Sequence, residues 1–247
     1  MAYVDHDNLW NMSNMVDEYN IQAPTLLWSE SCLTEKSKSF LKENVHNILC
    51  VGCGGGREVL PLHQTFENAT IYANDIAEKM IEKAIANFKL WNIERSVKPL
   101  LGSIENIVFK EPVFQVITAF NNVLCFVTPR RNRNQVFKKF YDITTPNGVL
   151  IGMVHHVYGT PLKTLYFLLQ RVISPFQKKE FGDRNAGKKE QKYFAHYYSR
   201  TELRELLEQA GYTQIEITSL AEFYKSKERK YNRLKGYNNL MFYAVKV

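Results

Sequence analysis

Residues 48–58 read Ile-Leu-Cys-Val-Gly-Cys-Gly-Gly-Gly-Arg-Glu: four apolar residues run into four glycines in five positions, and a helical pattern follows. That order predicts strand, tight turn, helix. Glycines permit positive φ and take every Cβ off the inner side of the turn, so a ligand can lie against the backbone, and the helix that follows offers free N–H groups to it. A second apolar run, Ala69 to Asn74, ends in Asp75, nineteen residues past Gly56. A carboxylate there suits the two hydroxyls of a ribose. Turn and acid together describe a nucleoside site.

The rest of the chain continues the alternation. A helix is predicted over Ala77–Trp91, a strand over Val97–Leu101, an apolar strand over Phe114–Phe120, a helix over Gln135–Ile143, a turn at Thr145–Gly148 and a strand over Val149–Val154. This is the pattern of a doubly wound α/β fold, with a mostly parallel sheet and helices on both faces. Ser199 to Glu202 has the form of a capping box opening the helix Thr201–Ala210, which Gly211 closes. Tyr212–Ser219 and Leu240–Val247 read as an antiparallel carboxyl-terminal hairpin at the sheet edge. Before the first strand, helices are predicted over Asn8–Tyr19 and Thr34–Glu43.

A length of 247 residues with 45% hydrophobic content supports a single core. The expected organisation is one domain, with an N-terminal helical cover over 1–44, a binding core over 45–157 and an insertion over 158–198 that closes on substrate. Cys50 and Cys53 form a C-x-x-C, but no second cysteine pair or histidine cluster completes a metal site. No metal is expected, and all four cysteines are read as reduced and packed. The N-terminus has no apolar signal core, and no stretch has eighteen uninterrupted apolar residues. The expectation is a cytoplasmic protein with no membrane partner. A formal charge of +7 fits an anionic partner or plain solubility.

Gly52, Gly54 and Gly56 follow a Gly-x-Gly-x-Gly spacing, with Arg57 where a dinucleotide fingerprint would continue toward its third glycine. The stretch resembles the first motif of the class I S-adenosylmethionine (SAM) dependent methyltransferases, and the likeness runs over most of residues 45–155. It implies a seven-stranded methyltransferase fold, SAM as cofactor and S-adenosylhomocysteine as product. By this resemblance Gly52, Cys53, Gly54 and Gly56 pass beneath the methionine part, Asp75 holds the ribose with Ile76 and Met80 alongside, Ser103 and Ile104 meet the adenine, and Asn121 faces the transferable methyl. The family's usual acid two residues before the first glycine is Cys50 here.

For the acceptor, Asn122, Trp10, Tyr19, Trp28, Tyr193 and Tyr197 are candidate pocket residues, the aromatic ones alternatively serving to pack helices and loops. His155, His156 and His196 are candidate bases, as an imidazole titrates near neutrality; a surface pair is the alternative for the first two. Methyl transfer to nitrogen or oxygen of a small, aromatic or amine-bearing molecule is the expected function. An RNA methyltransferase of cap guanine-N7 or tRNA type is the alternative, with Arg130, Arg131, Arg133 and the lysines near 178 and 225 following phosphates. A non-catalytic SAM-binding or regulatory protein is the second alternative, and nicotinamide-dependent reduction is disfavoured by the glycine spacing.

Overall fold

The computed structural model describes residues 9–12, 15–16, 23–109, 111–177, 180–186, 193–234 and 236–247, of which 173–177 and 186 by backbone alone. In chain order the elements are α1 (Trp28–Lys38), β1 (Asn47–Val51), α2 (Val59–Thr65), β2 (Thr70–Asp75), α3 (Glu78–Leu90), β3 (Val97–Leu101), β4 (Phe114–Ala119), a 3₁₀ turn (Val123–Phe126), α4 (Arg130–Ile143) and β5 (Thr144–Val154). Then come α5 (Pro161–Gln177), β6 (Asp183–Ala186), β7 (Tyr193–His196), α6 (Arg200–Ala210), β8 (Gln214–Ser219), α7 (Leu220–Ser226) and β9 (Leu240–Val245).

Seven strands form one sheet in the order β3-β2-β1-β4-β5-β9-β8. β9 is antiparallel to both its neighbours, and the remaining pairs are parallel. Strand side chains alternate between faces. Ile48 and Cys50 join Val59, Ala84 and Phe88 on one side, whereas Leu49 and Val51 join Phe137, Phe140 and Leu206 on the other. Burial on both faces is why the strands read as unbroken apolar runs. The chain passes outward through β1, β2 and β3 and returns to β4 beside β1, so the order reverses between β1 and β4. A crevice at the carboxyl ends of the strands is expected at such a reversal.

The expected doubly wound fold is present, with local corrections. Helix α1 begins at Trp28 rather than Thr34, because Glu30 accepts from the Leu27 N–H at 2.8 Å and closes its first turn. The turn expected at residues 145–148 is a bulge inside β5: Asn147 has a φ of 61°, and the register with β4 shifts between Phe114 and Val116. The C-terminal hairpin is antiparallel as expected, but only β8 is at the edge, since β9 also pairs with β5. Ser199 caps α6 by accepting from the Glu202 N–H, while the Glu202 carboxylate turns to His196 and Arg133, so the capping box is half formed. A complete box, Ser219 with Glu222, opens α7 instead.

Candidate active site

A cavity of about 410 Å³ runs along the carboxyl ends of β1, β2, β3 and β4. The glycine turn floors it. Gly54 has a φ of 53°, and a Cβ built there would meet nothing within 4 Å, so its inner side faces open space. Gly56 does not line the cavity; its missing Cβ makes room for Phe88, whose ring would be 2.6 Å away. Its role is packing the turn onto α3, and Gly55 takes the expected place on the wall.

Asp75 ends β2 with Oδ2 accepting from the Gly54 N–H at 2.8 Å and Oδ1 from the Ala77 N–H at 3.0 Å. Burial pushes its carboxyl pKa up, and the backbone donors oppose that shift. A carboxylate offers about four lone-pair positions, which leaves acceptor capacity on the cavity side. Gly52, Cys53, Ile76, Met80, Ser103, Ile104 and Asn121 line the same space. Beyond β3, Ser103 donates its hydroxyl to Glu105 at 2.9 Å, and Glu105 is also on the wall.

At the β4 end the wall holds a buried ionic cluster. Arg57 pairs with Glu30 through two hydrogen bonds of 3.0 Å, donates to Glu58 at 3.3 Å and to the Asn121 side chain at 3.0 Å. Glu58 is fully buried, and Cys50 Sγ donates to it at 3.2 Å. Burial, outweighing the nearby Arg57, raises the Glu58 pKa to about 8. Burial likewise drives the Cys50 and Cys53 thiols well above their ordinary range, and all four cysteines are free. Trp10 and Phe126, edge to face at 5.2 Å, complete this end with Thr128 and Asn132.

The three candidate bases lie elsewhere. His155 stacks on Tyr197 and pairs with Asn239 at 3.0 Å. His156 bridges to Tyr198 and packs on Tyr158. Burial lowers both imidazoles to about 4, so they are neutral at physiological pH. His196 sits between Asp183 at 2.8 Å and Glu202 at 2.9 Å. Burial alone would lower its pKa, but the two carboxylates outweigh it and raise the value, and both ring nitrogens are hydrogen-bonded. These are packing and pinning roles, set by burial at the end of β5 and on β7.

Of the acceptor candidates, Trp28 packs on Phe223 and Tyr224 under Arg229, away from the cavity. Tyr197 is buried against His155 and Phe167. Asn122, with a φ of 58°, leads into the 3₁₀ turn rather than onto the wall. Tyr193 touches the cavity indirectly, 5.7 Å from the Phe126 ring. Tyr19 lies outside the described residues. Sequence reasoning did not place Arg57, Glu105, Phe126 or Asn132 at the wall; Glu105, two residues from Ser103, carried the one local signal.

Residues 48–148 match the methyltransferase domain family. Over these residues the chain is similar to the class I SAM-dependent methyltransferases. Two curated relatives of the chain are carboxy-S-adenosyl-L-methionine synthases. That of Shewanella piezotolerans is 30% identical over 106 residues, 42% of each chain, and that of Glaesserella parasuis 28% identical over 107 residues, 42% of this chain and 43% of its own. The match thus spans less than half the length of these relatives. In fold, a SAM-dependent methyltransferase from Methanosarcina mazei superposes with a TM-score of 0.66 at 18% identity, covering 85% of this chain and 96% of its own. Phosphoethanolamine N-methyltransferase 2 of Haemonchus contortus, bound to S-adenosylhomocysteine, gives 0.67 at 11% identity, covering 100% and 61%. Geranyl diphosphate C-methyltransferase of Streptomyces coelicolor, also bound to S-adenosylhomocysteine, gives 0.60 at 12%, covering 88% and 78%.

Proposed function

We propose that this methyltransferase binds SAM along the carboxyl edge of the sheet and methylates a small, uncharged, amine-bearing or aromatic acceptor. The observation that carries the reading is the cavity itself, in which the open inner side of Gly54 lies next to a buried Asp75 with spare acceptor positions. The fit follows the strand order. Ser103, Ile104 and Glu105 after β3 meet the adenine; Asp75 after β2 meets the ribose; the glycine turn after β1 lies under the methionine part; and Asn121 after β4 faces the acceptor.

When bound, SAM supplies a methyl already activated by a sulfonium, so the transfer is an in-line displacement governed by proximity and alignment. The protein's part is to hold, align and exclude water. Asn121 is fixed for this by its bond to Arg57, whose charge is offset by its two-bond pairing with Glu30. Among the described residues no histidine, lysine or tyrosine lines the cavity. An acceptor that arrives already nucleophilic, such as a neutral amine, therefore fits better than a hydroxyl that needs a base. Trp10 and Phe126 would pack against its flat or apolar part, and the insertion at 158–198 would close over it through Tyr193.

Calorimetric titration with SAM and S-adenosylhomocysteine, followed by a radiolabelled-methyl screen of amines and phenols, tests the reading. Binding of both ligands with label transfer to an amine is the expected result; absence of binding refutes it. A second reading has a specific source in the carboxy-SAM synthase relatives, where SAM itself would be the molecule modified. Mass analysis of the recovered cofactor separates the two, since a carboxylated SAM without a methylated acceptor favours the second.

A further inference from the structure

Helix α5 turns its apolar side away from the protein. Leu162, Leu165, Leu169 and Val172 recur at spacings of three and four and are 82%, 56%, 57% and 70% exposed, with Tyr166 and Leu168 beside them. Residues at those spacings share one helix face. Phe167 projects from the opposite side and is 1% exposed; it fastens the helix to Val157, Ala195 and Tyr197. The usual amphipathic arrangement, apolar side inward, is thus inverted over most of the helix circumference. A contiguous exposed leucine face marks a surface that something covers.

The charge around it says what. Helix α5 contains no acid; its Arg171 is exposed, its Lys163 lies over the Tyr237 ring at 4.2 Å on the protein side, and residues 157–192 carry eight lysines and arginines against three acids, a net of +5 in a chain of +7. We propose that α5 is a membrane-surface helix that lies in the interface of an anionic bilayer, its leucine face among the acyl chains and its exposed Arg171 against the headgroups. An interfacial helix needs both features, an apolar face for the hydrocarbon boundary and lysine or arginine for anionic lipid. A second copy meeting this face symmetrically would bring one basic segment against another. Nucleic acid would match the charge but leave the leucines in water.

The expected absence of a membrane partner is revised by this proposal. It does not require a spanning segment, and among the described residues no helix is long and apolar enough to cross a membrane. Because the β6–β7 hairpin is packed on α5 through Phe167 and reaches Phe126 through Tyr193, docking would bring the cavity rim close to the lipid interface. The inference stands independently of methyl transfer.

The experiment is flotation of the full-length protein with vesicles of phosphatidylcholine, alone and mixed with phosphatidylglycerol, for wild type and for Leu162→Glu/Leu169→Glu. The wild type is expected to float with the anionic vesicles, less so at high salt, and the double variant to lose about tenfold or more of that partition with cofactor titration unchanged. No flotation of the wild type, or equal flotation of the variant, overturns the proposal. A dimer by light scattering that the same substitutions dissociate, without vesicle binding, overturns it in favour of a second copy. Salt-sensitive binding to a short RNA with no vesicle binding overturns it in favour of nucleic acid.

Discussion

Asp75→Asn tests the site with the least change of shape. The carboxylate accepts from the Gly54 and Ala77 N–H groups at 2.8 and 3.0 Å, leaving its remaining lone pairs for the ribose. Asparagine keeps one acceptor oxygen and puts an NH₂ group where the other stood, so one backbone donor then faces a donor. Leaving that buried N–H unpaired costs about 1–3 kcal/mol of stability. On the ligand side one charge-assisted hydrogen bond is lost, about 1.5–3 kcal/mol, or roughly a 10- to 150-fold weaker Kd. Urea denaturation reads the first quantity and calorimetry with S-adenosylhomocysteine the second. The wild type should also bind less well as pH falls through the Asp75 pKa, which burial raises, whereas the amide variant shows no such dependence. A folded Asp75→Asn protein that binds within about twofold of wild type would refute the ribose assignment, because no other change is large enough to offset the loss.

Gly56→Ala places a methyl 2.6 Å from the Phe88 ring at a φ of 87°, and should lower stability by about 2–4 kcal/mol by melting; Gly54→Ala, with no protein atom within 4 Å, should cost about 1–2 kcal/mol by melting but abolish cofactor binding by calorimetry. His196 has a raised pKa, so its contribution is present below the unfolded value near 6.5 and is lost as pH rises through the folded value; His196→Gln should remove that alkaline loss, read as hydrogen exchange across β6–β7. Glu58, raised to about 8 by burial, likewise takes up protons on folding, so stability falls from about 4.5 to about 8; melting curves of Glu58→Gln should lack that slope.

The fold was legible because its cues are local and repeated. Unbroken apolar runs at β1, β4 and β5 announce strands buried on both sides, and the glycines and Asp75 mark two strand ends whose ligands must converge once the sheet is parallel. What was not legible depends on long-range pairing. Glu202 looks like half a capping box until β7 delivers His196 beside it, six residues back in sequence but in another element. His155 and His156 look like bases at a strand end, yet Asn239, Tyr197 and Tyr198 from distant parts of the chain claim them. The leucines of α5 carry no signal in sequence of which way they face, and only the orientation fixed by Phe167 shows that they face outward.

Cys50 carries the last step. At first sight the missing acid before Gly52 weakens the site, yet a carboxylate is present against it: Glu58 reaches the Cys50 thiol from the far side of the glycine turn. Its raised pKa leaves it largely uncharged at neutral pH, so Arg57 is balanced by its two-bond pairing with Glu30 alone. The resulting wall is polar without net charge, which matches the zwitterionic amino-acid end of SAM better than the pyrophosphate of a dinucleotide. Restoring the family acid by Cys50→Asp would set a second carboxylate beside Glu58 in a fully buried pocket whose nearby guanidinium, Arg57, is already paired with Glu30. An unpaired buried charge costs about 3–5 kcal/mol, so the variant is expected to melt well below wild type and to recover as pH falls and the added acid protonates. A Cys50→Asp protein of undiminished stability at neutral pH, with tighter SAM binding by calorimetry, would show instead that the acid belongs at position 50 and that Glu58 does not substitute for it.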